Sequence, residues 1–327
     1  MKENKIRRSW LGIDMWHEKG YTGKGVKICI VDADCDVSLS RNPSKITPIG
    51  NSGNSPDWTK EFGFHGMASI DVVQQLAPDA EIHFAHWGIS LENVINYCID
   101  ERIDVVSVSL RYSHRTLSHA TSQRALDKGI LLLTSAGNEG DVPTDLRGYP
   151  ARKATWMAVG AGLVDGVGIK PRRVNYSSTG KELEVMSMTN ILVQLPTGKW
   201  LYNGTSCACP VLASMFCLIK QKERELDKED IRGLLLDHCV DMDVEGHDRR
   251  TGWGMFRMPN PEDFSRIKEI VLTIDDTMMK IDGDDKEMDT EPIIHKGRTM
   301  VPISFIAREF GLNVNWDEDK RQVIIRG

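Results

Sequence analysis

Long apolar runs and long runs of one charge sign are both missing from this chain of 327 residues. No apolar run approaches the roughly 18 to 20 residues of a membrane span, so we predict no membrane-spanning segment. The N-terminus, MKENKIRRSWLGIDMWHEKG, lacks the apolar stretch that a secretory signal requires. Lys and Arg occur at most in pairs, and the formal net charge is only −6. We therefore expect no nucleic-acid partner.

Cysteine clusters with the spacing of a metal site are also missing. The cysteines are odd in number, lie in apolar segments, and form neither a CxxC pair nor a Cys and His cluster at zinc spacing. This pattern is typical of reduced, buried thiols in a cytoplasmic protein. We predict a cytoplasmic location, with export that needs no signal peptide as the alternative. The cysteines are Cys29, Cys35, Cys98, Cys207, Cys209, Cys217 and Cys239.

A chain of this length with 40% hydrophobic residues can bury a large core. Between residues 20 and 262, short apolar runs alternate with helical stretches long enough to cross over between parallel strands. The alternation predicts an α/β domain with a mostly parallel sheet and helices on both faces. Ligands bind at the carboxyl ends of such strands. The predicted strands are 26–31, 81–85, 105–109, 130–134 and 156–159, and the predicted helices are 65–76, 90–101 and 118–129.

Two smaller regions flank this domain. Residues 1–19 form a short N-terminal extension. Residues 270–327 alternate β-type runs with acidic turns, and we predict a small α+β domain there. The junction at 262–269 follows two prolines, which is typical of a stiff turn. The small domain is predicted to contain strands at 270–274, 299–301 and 322–325 and a helix at 304–310, closed by Gly311.

One serine, Ser206, lies between small residues directly before an apolar helical run. The stretch GTSCACP is followed by apolar residues that predict a buried helix over 208–219. Ser206 would lie at the helix tip, where the dipole and free N–H groups favour developing negative charge. Pro210 falls near the start, where a missing N–H costs least. Taken alone, the stretch is equally well explained as a helix cap.

Two other residues supply what a serine nucleophile needs, namely a general base and a group that orients the base. Asp32 directly follows the predicted strand VKICIV. His65 begins a predicted helix, and Gly66 after it permits close approach of neighbouring groups. The order Asp, His, Ser is one of the known orders of this triad. A structural histidine and a capping aspartate are the alternative explanations.

Five sequence blocks carry a resemblance to a known family. They are IVDADCD, HGMAS with the following QQLAPDAEIHFAHW, DVVSVSLR, LLLTSAGNEG and NGTSCACP. In this order they resemble the signature blocks of the subtilase family of serine proteases, over about residues 20–260. The resemblance implies a three-layer, subtilisin-like fold and a serine endopeptidase that hydrolyses peptide bonds through an acyl-enzyme.

The resemblance also implies roles for individual residues. Ser206 would be the nucleophile, His65 the general base and Asp32 the residue that orients His65. Asn138, in SAGNEG, would stabilise the oxyanion together with the backbone N–H of Ser206. A turn residue between glycines is the alternative explanation for Asn138.

A further segment, Ser107, Val108, Ser109 and Leu110, resembles the family's substrate-binding strand. Such a strand pairs with an extended peptide or protein substrate through backbone hydrogen bonds. Arg111 stands where the family usually has glycine at the end of this strand. We predict that Arg111 narrows or charges the pocket for the side chain before the scissile bond, favouring small or acidic side chains. An arginine that leans into solvent is the alternative.

Other departures from the family lie close to the predicted triad. Asp34 replaces a usual glycine and either raises the pKa of His65 or faces solvent and a cation. Met67 replaces a usual threonine after His-Gly. Cys207 and Cys209 lie at the helix start, where a thiol pKa can fall. Oxidative control and simple packing are the two explanations for these cysteines.

Cofactors and processing are less well defined by the sequence. Family members often bind calcium, which the resemblance leaves open, but no loop here has the acidic spacing of a calcium site. The stretch DGDD at 282–285 is better explained as a turn. We predict no metal or other cofactor. The extension of about 20 residues is shorter than the propeptide of secreted subtilases, and acts as a short inhibitory segment or is not needed for inhibition.

The C-terminal region resembles the small stalk domain named after the N-terminal region of copper amine oxidases. GRTMVP, FIA and VNWD carry the match. Only His295 is a plausible soft ligand, so the resemblance does not imply copper. We expect this tail to dock a partner or a surface. Its predicted core is Val301, Ile303, Phe305, Ile306, Leu312, Val314 and Trp316.

A serine endopeptidase is the function that these features favour. The alternative is a pseudoprotease that binds a peptide or partner protein through the same groove, an option that Asp34, Met67 and Arg111 keep open. An esterase of the α/β-hydrolase type is disfavoured because the GxSxG elbow is absent around Ser206.

Overall fold

The computed structural model describes residues 4–55, 63–112, 117–141, 148–166, 169–226, 228–262, 270–281, 283–309, 313–318 and 320–326. The chain divides into two compact units, 1–261 and 262–327. Within the described residues, no helix is long and apolar enough to cross a membrane.

The first unit contains seven helices and twelve strands within its described residues. The helices are α1 (Lys5–Leu11), α2 (Ile13–Glu18), α3 (Gly63–Leu76), α4 (Leu91–Asp100), α5 (His119–Leu126), α6 (Thr205–Lys222) and α7 (Lys228–His238). The strands are β1 (Lys27–Asp32), β2 (Ile46–Pro48), β3 (Glu81–His86), β4 (Val105–Val108), β5 (Leu131–Ser135), β6 (Met157–Leu163), β7 (Arg172–Arg173), β8 (Leu183–Met188), β9 (Ile191–Leu195), β10 (Gly198–Tyr202), β11 (Cys239–Val240) and β12 (Met255–Phe256).

One sheet of ten strands forms the centre of this unit. Its order is β11-β12-β8-β6-β5-β4-β1-β3-β2, with β7 paired to β6. The pairs from β2 to β12 along this order are parallel, and only the β11 and β7 pairs are antiparallel. β9 and β10 form a separate antiparallel hairpin. The predicted α/β class with a mostly parallel sheet is confirmed.

Helices cover both faces of the sheet, as predicted. Side chains of a strand point alternately to its two faces, and in β1 both sets are buried. Cys29 and Val31 belong to one core cluster together with apolar residues of α4 and α5. Ile28 and Ile30 point the opposite way, where α3 and α6 pack on the sheet. The continuous apolar run in β1 is explained by this burial on both sides.

The N-terminal residues are an integral part of the first unit. Trp16 of α2 is fully buried, and its indole Nε1 donates to the carbonyl of Pro259 at 2.8 Å. Asn4 is also fully buried, and its amide group exchanges hydrogen bonds with both backbone groups of Leu192 in β9. The same amide donates to the side chain of Gln75 in α3 at 2.9 Å. The first described residues therefore anchor the hairpin β9–β10 and α3.

The second unit contains short antiparallel pairs and one helix. Its predicted core is wrong in part: Ile303 and Trp316 are exposed, and Val301 is also exposed. Phe305, Ile306 and Val314 are half-buried, while Leu312 lies outside the described residues. Among the described residues of this unit, Met279, Met288 and Ala307 are the buried hydrophobic side chains. The elements are β13 (Ile270–Leu272), β14 (Met278–Ile281), β15 (Asp284–Glu287), β16 (Ile293–His295), β17 (Arg298–Met300), α8 (Ile303–Glu309), β18 (Asn313–Asp317) and β19 (Gln322–Arg326).

Candidate active site

The end of β1 lies at the point where the chain switches direction across the sheet. β3 pairs with one side of β1 and β4 with the other, so the carboxyl end of β1 opens a crevice between two crossovers. Asp32 is the last residue of β1 and is fully buried. A buried carboxylate requires donors, and the structure supplies them from three groups.

Asp32 is held by hydrogen bonds on both carboxylate oxygens. His65 Nδ1 lies 2.5 Å from Oδ1, and the backbone N–H of Ala33 donates to the same oxygen at 2.6 Å. The hydroxyl of Ser69 donates to Oδ2 at 2.6 Å. Since Nδ1 of His65 faces the carboxylate, Nε2 is the ring nitrogen left to act on a substrate.

A close approach between α3 and β1 brings His65 to Asp32. A β-carbon on Gly66 would lie only 2.2 Å from the carbonyl oxygen of Ala33, so no other residue fits there without movement. The predicted role of Gly66 in close approach is confirmed. His65 is the third residue of α3, and its ring meets Tyr202 edge-on at 5.4 Å between centroids.

The pKa of His65 reflects two opposed effects. Burial disfavours the charged imidazolium, whereas the charge of Asp32 and its hydrogen bond favour that form. The net effect raises the pKa of His65 above its ordinary value of 6.5. Asp34 has another role, since its carboxylate accepts from the backbone N–H of Gly53 at 2.9 Å. The carboxylate that perturbs His65 is therefore Asp32.

Ser206 is the second residue of α6, at the helix tip. Gly204 caps the helix with φ 86°, in the left-handed region that favours glycine. The Ser206 hydroxyl donates to the carbonyl of Ser109 at 3.1 Å. Because Pro210 has no N–H, the Ser206 carbonyl loses its helical donor and accepts instead from the side chains of Ser109 and Tyr202.

Asn138 lies beside the same helix tip. Its Oδ1 accepts from the backbone N–H of Thr205 at 2.9 Å and from the Thr205 hydroxyl at 3.0 Å. The hydroxyl of Thr205 in turn accepts from the N–H of Gly137 at 3.1 Å. With Oδ1 satisfied by two donors, the network assigns Nδ2 as the free donor of the amide.

Two cavities meet at these residues, and both are lined by His65, Asn138 and Ser206. The small cavity, of about 190 Å³, is also lined by the segment after β4 and the loop after β5. The large cavity, of about 400 Å³, is also lined by the hairpin β9–β10. None of the described residues before Phe64 lines either cavity. The N-terminal extension, where described, therefore does not fill the cleft as an inhibitory segment would.

The five residues predicted to bind substrate fall into two groups. Ser107 and Val108 are buried within β4, and their backbone groups pair with β1 and β5. The thiol of Cys209 contacts the Ser107 hydroxyl and the Val108 carbonyl. Because the sheet already uses the backbone groups of Ser107 and Val108, these two residues cannot pair with a substrate, and the predicted binding segment is reduced to the residues after β4. Ser109, Leu110 and Arg111 follow β4 and line the small cavity.

Arg111 forms an ion pair across the small cavity with Glu139. The other carboxylate oxygen of Glu139 accepts from the hydroxyl of Ser178 at 2.6 Å. The charge of Arg111 is therefore matched by a carboxylate at the small cavity, while 51% of its side-chain surface remains exposed to solvent. The pairing of Arg111 with Glu139 was not evident from the sequence, because 28 positions separate them.

The remaining departures near the site are packing residues. Met67 is buried in the core and lines neither cavity. Cys207 and Cys209 are fully buried, and burial raises the pKa of each thiol to about 12. Burial thus outweighs the expected effect of the helix terminus, and the packing explanation is the one that fits. All seven cysteines are free, and only Cys239 is not fully buried.

Sequence reasoning missed two polar residues that support the triad. Ser69 binds Asp32, and the phenol of Tyr202 lies 2.9 Å from the Ser69 hydroxyl and 3.5 Å from both ring nitrogens of His65. The one available signal was the position of Ser69, one helical turn after His65 on the same face of α3. No pattern connected Tyr202 to the triad.

Side chains that ligate metals are scattered in this protein. Across the ranges that the structure describes, no group of three or more His, Cys, Asp or Glu residues is arranged to hold a metal ion. The stretch predicted as a turn at 282–285 begins outside the described residues, and Asp284 and Asp285 lie in β15.

Known proteins resemble this chain in sequence and in fold. Over 243 residues the chain is 31% identical to subtilisin E of Bacillus subtilis (strain 168), covering 67% of this chain and 61% of subtilisin E. It thus spans about three fifths of that relative. Subtilisin of Bacillus pumilus shows the same 31% identity, with 85% of its length covered. The solved structure of a lanthipeptide protease shares the fold, with a TM-score of 0.62 at 16% identity over 79% of this chain and 94% of that one.

Two family models match separate parts of the chain. Residues 265–325 match the Copper amine oxidase N-terminal domain, in agreement with the resemblance of the tail. Residues 23–254, more than two thirds of the chain, match the Subtilase family. A buried Asp32 bound to His65 and a serine at a helix tip lie within the second match, and the chain belongs to the subtilase family.

Proposed function

We propose that this chain is a serine endopeptidase that hydrolyses peptide bonds through Ser206, His65 and Asp32. The observation that carries the proposal is the meeting of these residues with Asn138 around one cleft that extends into two cavities. The membership of the subtilase family supports the same activity.

The first step is attack of the Ser206 hydroxyl oxygen on the substrate carbonyl carbon. The hydroxyl rotates from the Ser109 carbonyl toward Nε2 of His65, which takes its proton as general base. Asp32 holds Nδ1 and stabilises the imidazolium that forms. His65 then gives the proton to the leaving amine, and water hydrolyses the acyl-enzyme by the same route in reverse.

The developing oxyanion is stabilised by two donors. Nδ2 of Asn138 is one, because Thr205 keeps the amide oxygen turned away. The backbone N–H of Ser206 is the other, since N–H groups in the first turn of a helix have no helical acceptor. Donors of this kind contribute about 2.7 to 4 kcal/mol each to the transition state.

The small cavity binds the acyl side of the substrate. Leu110 and Arg111 run beyond the paired part of β4, so their backbone groups are available to an extended peptide, whereas the backbone of Ser109 is bonded to Val31 and Ser206. Because Glu139 neutralises Arg111, the pocket favours a small uncharged side chain before the scissile bond. The substrate is a protein or peptide.

An active-site-directed fluorophosphonate tests the proposal. The probe should label the purified full chain, and Ser206→Ala should abolish the labelling. Ser214→Ala is the matched control, since Ser214 lies two turns further along the same helix and donates to the Pro210 carbonyl. Labelling that persists in Ser206→Ala would refute the nucleophile, and a chain that binds peptides without labelling would be a pseudoprotease.

The second unit is proposed to attach the protein to a partner or a surface. Its cross-strand neighbours Trp316 and Val323 are both exposed. A chain ending at residue 261 that keeps its solubility and labelling would support an adapter role, whereas loss of labelling would show that the first unit needs the tail. We also propose a cytoplasmic location without a resident metal, which the seven free cysteines support.

A further inference from the structure

Two aromatic side chains with no part in the proposed mechanism stand at the large cavity. Phe64 and Trp200 stack nearly parallel, with ring centroids 6.1 Å apart and an angle of 18° between planes. They remain 37% and 52% exposed. The indole N–H of Trp200 donates to the Thr197 hydroxyl at 3.1 Å, which fixes the ring on the hairpin. An ordered apolar surface is thus held beside the general base.

The rest of the large cavity is suited to an apolar ligand. Val193, Leu195 and Leu201 of the hairpin line it together with the aromatic pair. Among the described residues that line it, His65 is the only one that carries charge near neutral pH. This described part of the wall carries no carboxylate, lysine or arginine to pair with a charged side chain. Burial of an apolar side chain against it is favourable, because both surfaces leave water.

The position of the large cavity determines which part of a substrate enters it. An extended peptide that pairs with Leu110 and Arg111 fills the small cavity up to the carbonyl attacked by Ser206. The two cavities share Ser206, so the chain beyond that carbonyl enters the large cavity. His65, which protonates the leaving amine, lines the large cavity and directly follows Phe64.

We propose that the large cavity selects a large apolar or aromatic side chain directly after the scissile bond, with Phe64 and Trp200 as the residues that determine this preference. The inference rests on the proposed function and adds the class of leaving group. A leucine or phenylalanine side chain covers the exposed aromatic faces, whereas glycine leaves them in water.

Acyl transfer tests the preference separately from the acyl side. The full chain is acylated with one small peptide ester, and amino acid amides compete with water for the acyl-enzyme. In this step the amine nitrogen bonds to the acyl carbon, the ester bond to Ser206 breaks, and one amine proton returns to the serine oxygen through His65. The measured quantity is the ratio of amide product to hydrolysis product.

The preference predicts a ratio for leucinamide and phenylalaninamide on the order of tenfold above that for glycinamide. Argininamide and glutamic acid amide should stay near glycinamide. Trp200→Ala and Phe64→Ala should each bring leucinamide within about threefold of glycinamide. Leu236→Ala is the matched control, because Leu236 is exposed on α7 and lines neither cavity.

The possible failures are distinct. If the wild-type chain gives the same ratio for all amides, the inference is overturned while the proposed function stands. This measurement uses only the wild-type chain and does not depend on whether a variant folds. A leucinamide preference that survives in both aromatic variants, with native far-ultraviolet circular dichroism, also overturns it. A chain that forms no acyl-enzyme from the ester overturns the proposed function and the inference with it.

Discussion

Pro210 leaves the carbonyl oxygen of Ser206 without its helical donor, because proline has no N–H and lies four residues further along α6. The hydroxyl of Ser109 donates to this oxygen at 3.0 Å and the phenol of Tyr202 at 3.1 Å. Ser109 and Ser206 thus exchange two hydrogen bonds. The missing helical hydrogen bond thus lets the backbone of the nucleophile bind the segment after β4 and the hairpin.

Tyr202→Phe should lower the free energy of unfolding by about 1 to 2 kcal/mol, because the buried carbonyl of Ser206 loses one of its two donors. The measurement is the denaturant midpoint. Tyr21→Phe is the control, since Tyr21 lies outside the active site. A Tyr202→Phe chain as stable as the wild type would contradict this account of the Ser206 carbonyl.

Asn138→Ala should reduce kcat by about 100- to 1,000-fold with a much smaller change in KM, because the lost donor acts mainly in the transition state. Asn138→Asp keeps an acceptor for Thr205 and removes the Nδ2 donor. It should lose at least as much activity as Asn138→Ala. Steady-state kinetics on a peptide substrate measure both, and near wild-type kcat in Asn138→Asp would exclude the assigned donor.

The dependence of kcat/KM on pH should report His65. The base acts in its neutral form, so activity falls with acid through a pKa above 6.5, because Asp32 outweighs burial. Asp32→Asn removes that charge, which moves the apparent pKa down and reduces kcat by about 10,000-fold. An acid limb that does not move in this variant would argue against His65 as the titrating base.

The raised pKa of His65 should also make the free energy of unfolding depend on pH. A group whose pKa is higher in the folded state stabilises that state below its unfolded pKa. This contribution of His65 is fully present below its ordinary value of 6.5 and is lost as pH rises through the folded pKa. Asp32→Asn should reduce this loss, measured as the difference in denaturant midpoint between the two chains across that pH range.

Arg111 and Glu139 should control the residue before the scissile bond in opposite ways. Arg111→Gly removes the side chain over the small cavity and should raise cleavage after large apolar residues on the order of tenfold. Glu139→Gln leaves the Arg111 charge unmatched and should raise cleavage after acidic residues. A peptide library measures both profiles. A wild-type profile dominated by large apolar residues at this position would contradict the proposed role of Arg111 and Glu139.

Asn4→Ala should destabilise the protein by about 1 to 3 kcal/mol. The substitution removes the acceptor of the Leu192 N–H, one of the two donors to the Leu192 carbonyl, and the donor to the side-chain oxygen of Gln75. Asn93→Ala, at an exposed position of α4, is the control and should change stability by less than about 0.5 kcal/mol. Equal midpoints for the two variants would contradict the anchoring role of the N-terminus.

Sequence patterns predicted five strands of the central sheet and the four tail elements at 270–274, 299–301, 304–310 and 322–325, but they missed β14, β15, β16 and β18 in the tail. VKICIV predicted β1 within one residue at each end, because a strand buried on both faces has a continuous apolar run. β15 has the sequence DDKE with every side chain exposed, so it carries no apolar signal. The tail's predicted core is wrong at Val301, Ile303 and Trp316, which are exposed, because an apolar pattern does not show whether another layer covers that face.

The sequence by itself determined which chemical groups are present and in which order, since Asp32, His65, Asn138 and Ser206 each follow a strand or begin a helix that local patterns identify. Tertiary structure alone decided their partners. Ser206 and Ser109 are 97 positions apart, and Asn4 and Leu192 are 188 apart. Local patterns report how a segment folds, whereas such contacts depend on how distant segments pack against one another.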